Sequence, residues 1–383
     1  MKIALATLND SADIHQWSGL NYFIARSLEQ AGATVHPVGP FATRWTTRMR
    51  LRQRWYDATG RTYHAIIEPT ALDALGAAAR EQIPRDADAV LAVTSLMGAA
   101  LGPLSIPLAS WDDATNAAME AYYPDFQHLA PVSRKHSALL GQRAADAVTL
   151  AIYTSEWAAD SAHSAYGMDR KRIAIVPFGA NLEAPPERAV VEQWISARAV
   201  DRCHLLWIGV DWERKGGPLT LEITRELRDL GVDADLTIAG CTPPATLPEW
   251  ARSEGFISKR APGGEARLAA LFARSHFFLM PSRAEAYGLV YAEAAACGVP
   301  SVAIRTGGVP AIIVDGATGI LEDAPGSPAA FAARIAAHLR NRTRYVDMAL
   351  AAFARSNDRL NWRVSGKRVV SLLTDLSIRA KTQ

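Results

Sequence analysis

The sequence predicts an α/β protein built from two doubly wound, Rossmann-like domains. Short apolar runs, typical of parallel strands covered on both faces, alternate with helical stretches along the whole chain. The alternation breaks at Pro185-Pro186 and then begins again. A chain of 383 residues is also long enough for two cores, because a single core stops growing at about 250–300 residues.

Each domain is expected to contain its own series of strands. In the first half the candidate strands are 3–8, 34–38, 89–94, 107–110, 147–153 and 173–176, with helices at 19–30, 131–145 and 156–166. In the second half the candidate strands are 205–208, 236–239, 256–258, 276–280 and 301–304. We predict domains at 1–182 and 183–360, and an amphipathic helix at 361–383 that crosses back to the first domain.

The composition excludes several classes of protein. It is 49% hydrophobic and 21% charged, as in an ordinary globular protein, and its net charge of +2 is too small for the whole molecule to bind nucleic acid. Cys203, Cys241 and Cys297 lie far apart, as expected for buried thiols of a reducing compartment. The first apolar stretch ends at Asn9-Asp10, too early for a signal peptide, and no run approaches the roughly 20 residues that span a bilayer. We therefore expect a cytoplasmic protein.

The segment from Pro281 to Glu293 carries the most specific pattern. Glu285 lies in a turn between an apolar strand and a helix, where the helix N-terminus favours a bound anion. Glu293 lies among small and apolar residues, where a carboxylate is costly unless hydrogen-bonded, and ribose hydroxyls would be suitable partners. The alternative is a pair of solvated glutamates. We favour a pocket for a sugar nucleotide.

A second loop supports this site. The loop at 214–217 carries adjacent Arg214 and Lys215 and two glycines, which together can cradle a pyrophosphate; the alternative is a solvated basic turn. Ligands of open α/β sheets bind beyond the carboxyl ends of the strands, and both glutamates follow strands of the same predicted sheet. Gly307 and Gly308 follow the next strand and are expected to close near the phosphate or the donor sugar.

Two positions in the first half are candidates as well. Gly19, after the first strand, would let the backbone approach a phosphate or sugar; an N-cap at Ser18 beside a permissive glycine is an equal alternative. Asp112 would bind or activate an acceptor hydroxyl, whereas neighbouring Asp113 is equally well explained as a helix N-cap.

The segment Arg44–Arg54 is a strong charge cluster. Extended to Tyr56, the stretch contains five arginines, three aromatic residues and no acidic residue. Such a helix can hold an anionic acceptor, a lipid-phosphate carrier or a membrane surface, the last implying peripheral contact at the inner membrane face. The alternative is a solvated amphipathic helix that packs Trp45 and Trp55 inward. Nothing else in the chain supports binding to nucleic acid.

Together these motifs resemble the retaining GT-B glycosyltransferases of family 4, the glycosyl transferases group 1. The resemblance covers nearly the whole chain. It implies two Rossmann-like domains facing across a cleft, with the acceptor bound by the first and a nucleotide sugar by the second. It also implies transfer of the sugar to a hydroxyl acceptor with retention at the anomeric carbon. The motifs that carry it are Pro281-Ser282-x-x-Glu285-x-Tyr287-Gly288-Leu289, Glu285-x7-Glu293, Ser18-Gly19, Thr154-Ser155-Glu156-Trp157, Val176-Pro177-Phe178-Gly179-Ala180-Asn181, Lys215-Gly216, Gly307-Gly308-Val309-Pro310 and Asp315-Gly316-x-x-Gly319.

The resemblance assigns roles to these residues. Lys215 would pair with the donor pyrophosphate, and the backbone of Gly288 and Leu289 would cap it. Glu293 would hold the ribose hydroxyls, and Glu285 would contact the transferred sugar near its reacting face.

Three further positions follow from the family's pattern. Tyr287 lies in the same turn as Gly288, and the nucleobase is expected near Ser258. Family members usually have an arginine where this chain has Val210, and Arg214 is the candidate replacement.

No metal or other cofactor is expected. Asp86-x-Asp88 and Asp233-x-Asp235 resemble the D-x-D of metal-dependent transferases, but both pairs precede their predicted strands, away from the strand exits. Lys215 and helix dipoles are expected to neutralise a diphosphate instead.

Two other functions remain open from the sequence. One is a sugar-nucleotide epimerase of the same fold, and the other is a non-catalytic nucleotide-sugar binder marked by Val210. A dinucleotide-dependent dehydrogenase is disfavoured, because the first strand is not followed by G-x-G-x-x-G. The sequence specifies neither the donor base and sugar, nor the acceptor, nor the oligomeric state.

Overall fold

The computed structural model describes residues 1–14, 16–42, 45–244, 246–259 and 261–382, without the side chains of Ala121, Pro124 and Asp125. The chain divides into two compact units. Unit 1 consists of Met1–Pro177 with Trp362–Gln383, and unit 2 consists of Phe178–Asn361.

The division between the units lies at Phe178, whereas the sequence placed it at 182–183. Hydrogen bonds explain why residues 178–182 join unit 2. The Tyr287 hydroxyl donates to the Phe178 carbonyl at 2.6 Å. The Ala180 amide donates to the Leu360 carbonyl at 3.0 Å.

In the described part of unit 1, six strands form one parallel sheet: β1 (Lys2–Ala6), β2 (Thr34–Val38), β3 (Ala89–Val93), β4 (Leu108–Asp112), β5 (Leu150–Tyr153) and β6 (Ile173–Ile175). Their order across the sheet is β2-β1-β3-β4-β5-β6. The helices between them are α1 (Leu20–Gln30), α2 (Thr47–Ala58), α3 (Pro69–Gln82), α4 (Ser95–Leu101), α5 (Asn116–Tyr122), α6 (Pro124–Gln127), α7 (Pro131–Ala147) and α8 (Glu156–Tyr166).

The strand sequences of unit 1 fit their positions in the sheet. Every residue of central β3 is buried, as expected for a strand with helices on both faces. The outer strand β2 contains Pro37, whose missing N–H is tolerated at a sheet edge. The strand order reverses between β1 and β3, so the loops leaving these strands diverge and open a crevice at their carboxyl ends.

Unit 2 follows the same plan. Its described residues form a second six-stranded parallel sheet, made of β7 (Cys203–Ile208), β8 (Ala234–Ala239), β9 (Ala251–Ser253), β10 (Phe277–Leu279), β11 (Ser301–Ile304) and β12 (Gly319–Glu322). The order is β12-β11-β10-β7-β8-β9, with the reversal between β7 and β10. The helices are α9 (Arg188–Ala197), α10 (Gly217–Asp229), α11 (Gly264–Arg274), α12 (Leu289–Ala296), α13 (Val309–Ile312), α14 (Pro328–Leu339) and α15 (Arg342–Arg359).

The prediction of a strand at 256–258 is wrong. The strand is β9, which pairs with β8 and ends before Gly255, a residue with φ of 64°. β9 lies at the sheet edge with Ala251 buried and Arg252 exposed, so it has no apolar run. Phe256, which suggested the strand, is 71% exposed. β12 and the helices α14 and α15 are also absent from the strands and helices expected from the sequence.

The last helix, α16 (Trp362–Lys381), lies in unit 1. The Trp362 ring stacks on Phe23 of α1 with ring centroids 6.1 Å apart. The Ser365 hydroxyl donates to the Pro177 carbonyl at 2.7 Å. At Gly366 a Cβ would lie 2.3 Å from the Ser27 carbonyl oxygen, so the glycine permits the close packing of α16 on α1.

The two D-x-D pairs lie at the amino ends of the sheets. Asp86 pairs with Lys2 Nζ at 2.8 Å. Asp235 lies within β8, not before it, and its carboxylate is 2.7 Å from His204 Nδ1. In the part of the chain that the structure describes, no group of three or more His, Cys, Asp or Glu side chains could hold a metal ion.

The three cysteines are free thiols. Cys203 and Cys297 are buried, and Cys241 is half-buried. Among the described residues, no helix has the length and apolar character needed to cross a bilayer.

Candidate active site

The crevice of unit 2 brings Lys215 and Glu285 together. Lys215 lies in the loop after β7 and Glu285 in the loop after β10, so the two strands that flank the reversal each supply one charge. Lys215 Nζ donates to Glu285 Oε2 at 2.7 Å. The side chains are only 14% and 10% exposed, respectively. The two charges therefore form a largely buried ion pair at the position where open α/β sheets bind ligands.

Local contacts fix the loop that carries Lys215. Asp211 accepts hydrogen bonds from the backbone amide of Arg214 at 3.0 Å and from its Nε at 3.1 Å. Trp207 Nε1 donates to the Lys215 carbonyl at 3.1 Å. The Arg283 amide donates to the Arg214 carbonyl at 2.9 Å. This last bond joins the loop to the one that carries Glu285.

Arg214 adds a second positive charge beside Glu285. Its Nη1 donates to the Ala284 carbonyl at 2.9 Å and lies 3.9 Å from Glu285 Oε2. Val210, where the family pattern has arginine, is 69% exposed. The replacement of the missing arginine by Arg214 stays a prediction.

Gly216 lets the two loops approach closely. It is the N-cap of α10 and has a φ of 73°. A Cβ at this position would lie 2.1 Å from the Pro281 carbonyl oxygen, which precedes the Glu285 turn. Only glycine fits both the left-handed conformation and the contact.

The start of α12 and the Gly307-Gly308 turn lie next to Glu285. Gly288, with φ of 91°, immediately precedes α12 and its first residue Leu289. A Cβ on Gly288 would lie 3.0 Å from Glu285 Cγ. The Gly308 amide donates to the Glu285 carbonyl at 3.3 Å. The structure thus brings these predicted residues to one place.

Glu293 is not a solvated glutamate. It is 8% exposed, and its Oε1 accepts a hydrogen bond from Lys259 Nζ at 2.9 Å. Lys259 Nζ also donates to the Asn181 carbonyl at 2.9 Å. Because Lys259 follows Ser258 in the chain, the position expected for the nucleobase is adjacent to the partner of Glu293.

Tyr287 is part of the unit's core. It is 1% exposed, and its ring lies edge-on to Phe178 with centroids 5.6 Å apart. Its hydroxyl donates to the Phe178 carbonyl. The buried Tyr287 side chain therefore anchors the Glu285 turn to the core of unit 2.

Unit 1 has a pocket of about 390 Å³ at its own crevice. Asn9 after β1, Thr94 after β3 and Asp112 at the end of β4 line it, together with Trp17 and Asn21 from the first loop and α1. The pocket thus occupies the carboxyl ends of the strands that flank the reversal.

Asp112 lies in the wall of this pocket with its carboxylate already hydrogen-bonded. Oδ2 accepts from the Ser95 amide at 2.7 Å and the Ser95 hydroxyl at 3.0 Å. Oδ1 accepts from the Asp113 amide at 2.9 Å. Burial raises the pKa of Asp112, although these hydrogen bonds oppose the rise. The N-cap of α5 is Thr115, not Asp113, so that alternative is wrong.

Strained backbone surrounds the pocket. Among the described non-glycine residues, positive φ occurs at Trp17 (49°), Ser18 (58°) and Thr94 (78°). Gly19 continues the first of these turns with φ of 78° and is itself the N-cap of α1 without a side-chain hydrogen bond, so Ser18 is not the cap. Residues held in such conformations concentrate at functional sites.

Most of the arginine-rich segment lies in α2, which begins at Thr47. Arg44, the first residue of the segment, lies outside the described residues. Trp45 and Trp55 are 42% and 62% exposed, so the alternative in which they pack inward is wrong. Met49 anchors the helix instead, because it is buried. Arg52 donates to the buried carboxylate of Glu68.

The second unit matches a known family. The sequence profile described as Glycosyl transferases group 1 matches residues 202–341, which include Lys215, Glu285 and Glu293. These residues form a glycosyl transferases group 1 domain of the family 4 type.

Sequence relatives of this glycosyltransferase domain are themselves named glycosyltransferases. The D-inositol 3-phosphate glycosyltransferase of Paenarthrobacter aurescens (strain TC1) is 32% identical over 191 residues, which cover 48% of this chain and 47% of that protein. The GDP-mannose-dependent alpha-(1-6)-phosphatidylinositol monomannoside mannosyltransferase of Mycolicibacterium smegmatis is 34% identical over 174 residues, covering 42% of this chain and 45% of the relative. The chain thus spans about half the length of the curated relatives it matches.

Solved structures show the fold of the whole chain. Sucrose-phosphate synthase from Thermosynechococcus elongatus has a TM-score of 0.67 at 16% identity, covering 99% of each chain. Anabaena HepE, solved in complex with UDP and glucose, has a TM-score of 0.62 at 17% identity, covering 98% of this chain and 100% of HepE. The predicted GT-B fold is confirmed.

Sequence reasoning missed three residues of these sites. Asp211 accepts hydrogen bonds from Arg214, three residues further along the same loop. Lys259 donates a hydrogen bond to Glu293, which lies 34 residues later in the sequence. Asn21 lines the unit 1 pocket. No local signal marks these last two.

Proposed function

We propose that the protein is a retaining glycosyltransferase that moves a sugar from a nucleotide-sugar donor to a hydroxyl group of an acceptor. The observation that carries the proposal is the buried Lys215–Glu285 pair at the strand reversal of the glycosyltransferase domain. In the reaction, the bond from the anomeric carbon to the diphosphate breaks and a bond to the acceptor oxygen forms. The nucleoside diphosphate leaves with the bonding electron pair and takes up the proton that the acceptor hydroxyl loses.

The residues of unit 2 are suited to bind and stabilise a leaving diphosphate. Lys215 supplies a positive charge, and the start of α12 at Gly288 and Leu289 supplies backbone N–H groups. Glu285 would orient the sugar, and Glu293 would accept hydrogen bonds from the ribose. We propose that these groups act without a metal ion.

Other parts of the proposed donor site have supporting roles. Arg214 would add charge near the diphosphate, and Gly307 and Gly308 would border the transferred sugar. Ser258 would lie near the base. In unit 1 we propose that Asp112 and the backbone around Gly19 shape the acceptor side.

A nucleotide screen tests the donor site. The full chain is heated in the presence of UDP-, GDP- or ADP-sugars, since HepE was solved with UDP and the mycobacterial relative is GDP-mannose-dependent. A ligand at about 100 times its Kd stabilises the folded state by about 2.7 kcal/mol, so one class of nucleotide should raise the Tm by several degrees. The absence of any shift would refute the donor site.

A turnover assay separates transfer from the rival functions. The nucleotide sugar that binds is incubated with and without a panel of hydroxyl acceptors. We expect nucleoside diphosphate and a glycosylated acceptor to form only when both substrates are present. Conversion to a new epimer without acceptor would indicate an epimerase, and binding without any turnover would indicate a non-catalytic binder.

We further propose that α2 contacts an anionic membrane surface. Leu51 and Trp55 are each 62% exposed and lie four residues apart, so they share one stripe of the helix. Exposed Arg50 and Arg54 form the adjacent stripe. Aromatic and aliphatic side chains beside arginines suit the interface of a negatively charged bilayer.

Vesicle sedimentation tests α2. Arg50→Glu/Arg54→Glu should weaken binding to phosphatidylglycerol vesicles by roughly tenfold or more, because each arginine near an anionic surface contributes about 1 kcal/mol. Arg340→Glu/Arg344→Glu is the control, with the same charge change at exposed positions of unit 2. Equal binding to phosphatidylcholine and phosphatidylglycerol vesicles would contradict the proposal.

A further inference from the structure

Lys259 links two separate segments of unit 2 through its ammonium group. Nζ donates one hydrogen bond to the Asn181 carbonyl and another to Glu293 Oε1, each at 2.9 Å. Lys259 follows β9, and Glu293 lies on α12, which follows β10. The contact is therefore at the carboxyl end of the sheet, the edge at which open α/β sheets bind ligands.

Burial distinguishes this contact from an ordinary surface ion pair. The side chain of Glu293 is 11% exposed and Asn181 is 3% exposed, whereas the side chain of Lys259 is 38% exposed. The lysine thus reaches inward from the surface to two largely buried groups. A buried carboxylate is costly without a partner, and within the described ranges Lys259 donates the only hydrogen bond to the Glu293 side chain.

The second carboxylate oxygen of Glu293 is suited to a ligand. Lys259 occupies Oε1, and Oε2 accepts no hydrogen bond from any residue that the structure describes. The terminal torsion of a glutamate is broad, so a carboxylate that is held at neither oxygen samples many orientations. Because the ammonium is itself fixed by the Asn181 carbonyl, it restricts the plane of the carboxylate and thereby the direction of Oε2.

We infer that Lys259 is a positioning residue for the donor, which holds Glu293 so that Oε2 accepts from the ribose hydroxyls. This inference rests on the proposed function, in which Glu293 binds the ribose of a nucleotide sugar. Lys259 acts through Glu293 and contacts neither the base nor the diphosphate. The consequence is that Lys259 sets the preference of the site for a ribonucleotide over a deoxynucleotide.

Nucleotides with and without ribose hydroxyls test the inference by calorimetric titration of the full chain. The probes are UDP, GDP and ADP, each beside its 2′,3′-dideoxy analogue, which keeps the base and the diphosphate. We expect the wild type to bind its best ribonucleotide about tenfold or more tightly than the analogue, because hydrogen bonds to charged groups are strong. Equal binding of the two would overturn the inference.

Lys259→Met removes the ammonium and keeps a long, unbranched side chain. We expect the ribonucleotide to bind about tenfold more weakly and the dideoxy analogue to bind as it does to the wild type. The preference for ribose should then be almost lost. Equal weakening of both probes would indicate a direct contact of Lys259 with the base or diphosphate and would overturn the inference, as would an undiminished preference.

A double-mutant cycle tests whether Lys259 acts through Glu293. The variant that combines Lys259→Met with Glu293→Gln should bind the ribonucleotide within about twofold of Glu293→Gln alone, because the interaction is already lost. Independent losses that multiply would contradict the inference.

Lys259→Arg is the conservative variant of the same position. It keeps a cation with several N–H donors, so its preference for ribose should exceed that of Lys259→Met by about threefold or more. A purely structural effect would change the Tm and leave the preference alone. Failure of arginine to restore any preference would overturn the inference.

Arg267→Met is the matched control. Arg267 on α11 donates to Glu254, just after β9, and its side chain is 53% exposed. The variant removes a cation from another ion pair beside the same strand and should leave the preference for ribose unchanged. A loss of preference as large as that of Lys259→Met would show a general effect of charge at this edge and would contradict the role of Lys259.

Failure of the inference is distinguishable from failure of the proposed function. If ribonucleotides bind and Lys259→Met keeps the full preference for ribose, the inference fails and the function stands. If none of the three nucleotides binds to the wild type, the donor site itself fails, and the inference fails with it.

Discussion

Glu285→Gln is expected to lower kcat for sugar transfer by about 100- to 1000-fold, the usual cost of removing one electrostatic contact at a reacting centre. Glutamine preserves the shape of the side chain and one acceptor oxygen, but it removes the charge that faces Lys215 Nζ at 2.7 Å. In the proposed reaction this charge acts next to the anomeric carbon. The loss should therefore appear in kcat, with the KM for the donor little changed.

A matched variant separates this effect from loss of an ion pair. Glu322 on β12 pairs with Arg334 at 2.9 Å in the same unit. Glu322→Gln should leave kcat within about twofold of the wild type, since exposed or half-exposed ion pairs contribute about 0–1 kcal/mol. The Tm of both variants shows whether they are folded. If Glu285→Gln is folded and keeps more than a fifth of the wild-type kcat, Glu285 does not have the proposed role.

The sequence could predict which residues of unit 2 lie together at the candidate site, because strand exits are recognisable locally. Lys215, Gly288 and Gly308 each follow an apolar run or open a helix, and the structure brings them to one end of the sheet. The sequence could not predict that Lys215 and Glu285 touch. Their strands are neighbours only because the order reverses between β7 and β10, and that order depends on packing over the whole sheet.

The parts that were not predicted share a physical cause. Edge strand β9 has only one buried face, so its sequence lacks the apolar run of a central strand. The apolar side chain of Phe256 indicated a strand a few residues further on, but Phe256 is exposed. Among the described residues, Asn21 Oδ1 has no hydrogen-bond partner and Thr94 has a positive φ, and both features result from tertiary packing around the pocket. Neither leaves a periodic signal in the sequence.

Gly216→Ala is expected to destabilise unit 2 and to abolish most of the activity. Alanine in the left-handed conformation of Gly216 costs about 1–2 kcal/mol. Its Cβ would lie 2.1 Å from the Pro281 carbonyl oxygen. The Cβ is fixed by the backbone of residue 216, and its neighbour is a backbone oxygen. The clash can therefore be relieved only by moving the loop after β7 away from the loop after β10, which costs about 1–3 kcal/mol more.

Gly231→Ala isolates the effect of the contact from that of the conformation. Gly231 lies just beyond the other end of α10 with φ of 84°, and a Cβ there would have no atom within 4 Å. Both variants carry the left-handed penalty, so their difference in Tm and in denaturant midpoint measures the overlap with Pro281. Movement of the loops would also separate Lys215 from Glu285, so only Gly216→Ala should lose donor binding. Equal destabilisation and equal activity of the two variants would show that the close approach of these loops does not matter to the site.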